Sequence, residues 1–249
     1  MSRSMLCCVL VANLLLLASL TTRADQVYRY HRCSEFDEYF ESKSAYAAHL
    51  DTVLSTFSSL DQTNNGFYNL SLGQDEDQII SIALCRGDVS ESSCLECIKF
   101  GTADLPPRCP SQMIGIVWYD DCMFRYTNWY LFRSLDEGSY VVQPLSNGTI
   151  DSSHAEAFNK QLYSLLEALR DRAADGNSTL KFAAGSTSFT GSSGRIDAFV
   201  QCIPDLDQMQ CASCLDHAFR DIVVSIPGRA GGRVLGASCS LLFNVTRAL

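Results

Sequence analysis

The sequence predicts an α+β protein of two tandem domains, each with helices packed on one face of an antiparallel sheet and stapled by disulfides. Three observations predict it. Cys85-x8-Cys94-x2-Cys97 recurs as Cys202-x8-Cys211-x2-Cys214, and a further cysteine follows 25 positions later in each case, at Cys122 and Cys239. An amphipathic helical stripe precedes each motif, and short strand-like runs flank it. The chain opens on an apolar leader of the kind that directs proteins into an oxidising compartment.

The leader comes first. Ser2, Arg3 and Ser4 make a short polar, basic start, an apolar run follows through Leu17, and Thr22-Arg23-Ala24 offers a small-x-small cleavage site. Residues 1–24 read as a secretory signal peptide, too short for a convincing membrane span. Cleavage after Ala24 removes Cys7 and Cys8 from the twelve cysteines and leaves ten, an even number that reads as a disulfide framework. It also removes Arg3 and Arg23, which takes the formal charge from −9 to −11. That acidic balance argues against nucleic acid as a partner, because phosphate binding needs a basic footprint. Hydrophobic residues at 47% and charged residues at 19% mark a globular chain. No second apolar stretch of ~18–20 residues follows, so the sequence predicts a secreted, extracellular protein without a membrane span. Asn69, Asn147, Asn177 and Asn244 begin N-x-Ser/Thr sequons and are candidate glycosylation acceptors.

The two copies occupy residues 25–135 and 136–249. In the first, Tyr46, Leu50, Val53, Leu54 and Phe57 fall on one helical face; in the second, Phe158, Leu162, Leu165, Leu166 and Leu169 fall at the same offsets. A strand-like run ends at each motif's first cysteine, Gln78 to Leu84 and Ile196 to Gln201. A second helix then carries the C-x2-C, with Ser90 as N-cap in the first copy. Two strands close each copy: Met113 to Tyr119 with Cys122 to Asn128, and Arg233 to Ala237 with Cys239 to Asn244. The first-helix stripes are offset by 112 and the motifs by 117, so about five extra residues lie between helix and motif in the second copy. They are expected in Gly185 to Gly194.

C-x2-C admits three readings: a zinc site, a thioredoxin-like redox pair, or structural disulfides. The oxidising compartment and the even count favour the third, while connectivity does not follow from spacing. Cys33 and Cys109 have no counterparts in the second copy, where Ile226 stands at the Cys109 position. Their joint absence is evidence that they pair in the first.

The doubled C-x8-C-x2-C behind a signal peptide resembles the plant cysteine-rich repeat secretory proteins with ginkbilobin-like (stress-antifungal) domains. The resemblance covers essentially the whole mature chain. It implies two helices on a five-stranded antiparallel sheet in each domain. It implies the pairs Cys33–Cys109, Cys85–Cys94, Cys97–Cys122, Cys202–Cys211 and Cys214–Cys239.

It also implies a function: a secreted, non-enzymatic apoplastic binding protein in stress and defence, with mannose-type carbohydrate binding and antifungal activity. In that family an Asn, an Arg and a Glu hold the sugar. The equivalent positions here are Ser34, Ile116 and Thr127 in the first domain, which keeps none of these side chains. The second domain has Arg233 at the Arg position and Asn244 at the Glu position, and these two are the carbohydrate-binding candidates. A glycan on the Asn244 sequon would cover them. The partners expected are cell-wall or fungal mannose-type glycans.

The other reading is a soluble apoplastic signalling partner, since the tandem pair also resembles the ectodomains of cysteine-rich receptor-like kinases. Its partners would be apoplastic or receptor proteins in stress response or root growth. Nothing in the sequence calls for a cofactor or a metal. His31, His49, His154 and His217 sit in no catalytic context. Trp118, Tyr119, Trp129 and Tyr130 are expected in sheet core and inter-domain packing.

Overall fold

Each copy builds the same five strands and two helices in the same order. The computed structural model describes residues 26–34, 38–62, 64–136, 138, 140–189 and 194–247; residues 1–24, read from the sequence as a signal peptide, lie outside these. The first copy runs β1 (Tyr28–Cys33), α1 (Ala45–Ser58), β2 (Phe67–Leu72), β3 (Ile79–Cys85), α2 (Glu91–Arg108), β4 (Gly115–Tyr119) and β5 (Cys122–Thr127). The second runs β6 (Tyr140–Pro144), α3 (Ala155–Ala174), β7 (Lys181–Ser188), β8 (Gly194–Cys202), α4 (Gln208–Ser225), β9 (Gly231–Gly236) and β10 (Cys239–Arg247). The strand orders are β1-β4-β5-β3-β2 and β6-β9-β10-β8-β7, antiparallel throughout.

Local chemistry sets the helix starts. The Ser44 side chain accepts from Ala47 N–H ahead of α1, and Ser90 accepts from Ser93 N–H ahead of α2. In the second copy Asp207 and Gln210 form a reciprocal capping box that opens α4. The helical stripes then bury as their spacing dictates: Tyr46, Leu50, Val53 and Phe57 on α1, and Phe158, Leu162, Leu166 and Leu169 on α3. Helices α2 and α4 end at equivalent residues, Cys109 and Ile226, each of which donates its backbone N–H to a last-turn carbonyl. Cys109 completes its position with a disulfide, whereas Ile226 packs against the second core.

Among the described residues five disulfides join Cys33–Cys109, Cys85–Cys94, Cys97–Cys122, Cys202–Cys211 and Cys214–Cys239. The two cysteines of each C-x2-C thus bond to different strands and not to each other, which leaves neither a redox pair nor thiolates for zinc. The extra residues of the second copy are spread more widely than the Gly185 to Gly194 stretch. The hairpin β7–β8, Lys181–Cys202, is three residues longer than β2–β3, Phe67–Cys85, and α3 extends to Ala174 before it.

The sheets pack against each other through the faces that carry no helices. On β3, Ser81, Ala83 and Cys85 face the first domain's helices, while Ile80, Ile82 and Leu84 face away. All seven β3 residues are buried because both faces are covered. Phe67, Ile82, Leu84, Ile116, Trp118 and Met123 form one apolar cluster with the core of the second domain. Polar groups pin the same contact. Gln201 Nε2 donates to the Cys85 carbonyl at 2.8 Å, and its Oε1 accepts from Gly87 N–H at 3.3 Å. Trp118 Nε1 donates to the Gly236 carbonyl at 3.2 Å.

Candidate functional site

Arg233 sits on the helix-free face of β9, opposite Leu242 of β10, and Asn244 lies two residues further along that strand. The fold therefore brings the two carbohydrate candidates to one face. The same face meets the first domain, and that decides what Arg233 does. Its Nη1 donates to Asp120 Oδ1 at 2.9 Å, and Arg29 donates to both oxygens of the same carboxylate. Arg86 adds a bond to the Asp120 carbonyl at 2.8 Å and lies over the Phe199 ring at 5.5 Å. Burial opposes the charge on Asp120, but the hydrogen bonds from Arg29 and Arg233 prevail and hold its carboxyl below the ordinary value. Burial also lowers Arg233, against the pull of Asp120. The guanidinium expected to hold a sugar is thus engaged in an inter-domain ion pair, with its side chain 10% exposed.

A second recess lies beside the same contact, mostly on the first domain. A cleft of about 460 Å³ opens on the helix-free face of β1, β4 and β5 at the margin of the inter-domain contact, lined also by residues that follow β5 and by Ala237 of the second copy. Ser34, Ile116 and Thr127 all line it, so the three first-domain positions picked out by the family resemblance converge there. Thr127 Oγ1 accepts from Trp129 N–H at 3.2 Å, and Ser34 Oγ lies 3.5 Å from Glu38. The cationic group in the cleft comes from elsewhere. Arg125 is the register partner of Ile116 on the neighbouring strand, and its side chain is 7% exposed. It donates from Nη2 to Asp136 Oδ2 at 3.2 Å. Burial lowers the Arg125 pKa, with Asp136 and then the more distant Asp205 opposing. Trp129 and Tyr130, 55% and 69% exposed, belong to the same lining. Trp118 packs between the domains and Tyr119 in the first domain's own core, where its hydroxyl donates to Asp104, but Trp129 and Tyr130 depart from this: they stand exposed where the chain leaves β5.

Sequence reasoning missed Arg125, Asp136 and the exposure of the aromatic pair. One signal was present: Cys-Met-Phe-Arg-Tyr-Thr is an apolar strand with a charge at its centre. Among the sequon asparagines, Asn69, Asn147 and Asn177 are exposed, while Asn244 is half-buried and paired on both sides. Among the described residues no three His, Cys, Asp or Glu side chains gather to hold a metal ion, and no helix is long and apolar enough to cross a membrane.

Comparison with known proteins adds family context. The family model described as salt stress response/antifungal matches residues 32–129 and 146–246. Cysteine-rich receptor-like protein kinase 26 of Arabidopsis thaliana is 34% identical over 94% of this chain, which spans 35% of that protein. Cysteine-rich repeat secretory proteins 38 and 29 of the same plant are 30% and 31% identical, over 91% and 95% of this chain and 87% and 93% of theirs. Two solved structures share the fold: the tandem DUF26 ectodomains of the Arabidopsis cysteine-rich receptor-like proteins PDLP8 and PDLP5. Their TM-scores are 0.72 and 0.69 at 18% and 21% identity, over 88% of this chain and 98% of theirs.

Proposed function

The chain belongs to the salt stress response/antifungal family, in two tandem copies, and from that premise we propose that it is a secreted, non-enzymatic plant protein that binds carbohydrate outside the cell in stress and defence. The first-domain cleft is its binding site. One observation carries this reading: an exposed Trp129–Tyr130 pair borders a recess of about 460 Å³ that also holds Arg125, Ser34 and Thr127. Sugars present apolar faces that stack on aromatic rings and hydroxyls that take directional hydrogen bonds. The volume falls in the range of about 300–1,000 Å³ usual for small-ligand sites. The described lining contains one carboxylate, Asp136, and no histidine. Neither a carboxylate pair nor a nucleophile–base pair can be assembled from it, which favours binding over catalysis. Mannose-type glycans and antifungal action are the expectations that follow from family resemblance. In this reading the cleft, and not Arg233, meets the ligand.

Glycan-array screening followed by calorimetry tests it. Trp129→Ala with Tyr130→Ala should weaken any glycan bound by at least about tenfold, the loss of roughly 1.4 kcal/mol of stacking. Unchanged affinity would remove the cleft from the binding site. Absence of glycan binding in every form would favour the second reading, a protein partner outside the cell. The exposed aromatic pair supports that reading too, because aromatic residues are enriched where proteins meet.

A further inference from the structure

We propose that the first-domain cleft is selective for acidic sugars, an oligosaccharide whose uronate carboxylate pairs with Arg125. This rests on the carbohydrate reading of the cleft and narrows it to a ligand class. The geometry begins with supply and demand at one guanidinium. Arg125 carries five N–H donors in a fixed fork. Among the described residues its side chain makes one hydrogen bond, the 3.2 Å contact with Asp136, although it is 7% exposed. Buried cations are ordinarily paired and hydrogen-bonded, and donors left over in a buried site carry a cost. The remaining donors line a cleft large enough for a sugar, and water or a ligand must meet them there.

A carboxylate suits them better than a hydroxyl. It accepts two parallel bonds from a guanidinium, and charge-assisted bonds are about twice as strong as neutral ones. Arg32 lines the same cleft and donates from Nη1 to the Gly138 carbonyl at 3.0 Å. The chain as a whole is acidic, at −9, and repels anions at long range. Selectivity for an anion therefore has to be local. Trp129 and Tyr130 supply the stacking surface that separates a sugar acid from a free inorganic anion, and Ser34 and Thr127 supply hydroxyls for the ring substituents.

Calorimetry on the secreted full chain tests this with four probes: tri-galacturonate, its methyl ester, tri-mannuronate and mannotriose. At least one free uronate trimer should bind about tenfold to a hundredfold tighter than the ester and mannotriose, the range expected for one charge-assisted contact to a buried guanidinium. The preference between the two uronates separates a pectin-like from an alginate-like source, and either supports the inference. Arg125→Met should bring the free acid to the level of the ester. Should that variant fail to fold, the comparison of free acid with ester on the unaltered chain decides the matter alone. Ester or mannotriose binding as tightly as the free acids would overturn acidic selectivity and leave the carbohydrate reading standing. No binding of any of the four, with array glycans also silent, would overturn both. A peptide carboxylate captured through Arg125 in place of every sugar would overturn the ligand class.

Discussion

Asp120→Asn is the most direct probe of how the two domains are held. The wild-type carboxylate receives Arg29 on both oxygens and Arg233 Nη1 at 2.9 Å. At an effective dielectric constant of about 20, one such contact is worth on the order of 4 kcal/mol before desolvation is counted. Removing one member of a fully buried pair costs about 3–5 kcal/mol, because the other charge is stranded. Arg233 is nearly buried, with a side chain 10% exposed, whereas Asp120 is 30% exposed and water can partly replace it. The expected loss is therefore about 2–3 kcal/mol. For a chain of this length it lowers Tm by roughly 5–10 °C. Thermal melts followed by tryptophan fluorescence read it well, since Trp118 bonds across the same contact. Arg233→Met in the Asp120→Asn background should recover part of the loss, as the stranded cation is removed. A loss below about 0.5 kcal/mol, or strictly additive single and double variants, would refute the view that this ion pair holds the domains together.

Further outcomes follow from other parts of the structure. The Asp120 carboxyl titrates below its ordinary value, so its stabilisation is complete above the unfolded pKa of about 4 and is lost as pH falls through the folded value; the Tm gap between wild type and Asp120→Asn should be full at pH 7 and shrink by pH 3, and a gap that stays constant would contradict this. Cys33→Ala with Cys109→Ala opens a disulfide between residues 76 apart, worth ~4 kcal/mol in the chain-entropy model, and should lower the urea midpoint markedly; an unchanged midpoint excludes it. Gln201→Leu leaves the Cys85 carbonyl and the Gly87 N–H without their partner and should cost about 2 kcal/mol in the same melts, against the near-neutral result of a surface change. For glycosylation, the exposed Asn69, Asn147 and Asn177 should each lose one glycan mass on substitution by Gln, read by intact-mass spectrometry before and after deglycosylation.

What the sequence made legible was local or periodic. The cysteine intervals, the helical stripes and the Ser90 cap depend on neighbours a few residues away, and all are read from spacing. The central strands β3 and β5 are legible because burial on both faces leaves apolar runs, and β8 is legible from the alternation of its buried positions. The edge strands are not. Tyr28–Cys33 reads Tyr-Arg-Tyr-His-Arg-Cys, half-exposed and without an apolar run, and only its pairing with β4 defines it as a strand. The site divides along the same line. Position in the motif picks out Arg233, but its role depends on Asp120, 113 residues away in the other domain. Arg125, Asp136 and the Trp129–Tyr130 pair meet because β5 leads into a segment that folds back over the sheet, and no short-range pattern encodes that return.

The face-to-face packing of the sheets also has an evolutionary side. After a duplication, the helical sides of two copies are free to drift apart, as the disulfide at Cys109 and the isoleucine at Ile226 have done. The facing strands have no such freedom, because a change at Asp120 is felt by Arg233 and a change at Gln201 is felt by the Cys85 and Gly87 backbone. Mutations there are expected to be accepted in matched pairs, one in each half of the gene. Replacing one half with the corresponding half of a relative should then succeed only when the incoming outer face suits the one that stays. The two halves are in effect inherited together, and the unit on which selection acts is the pair.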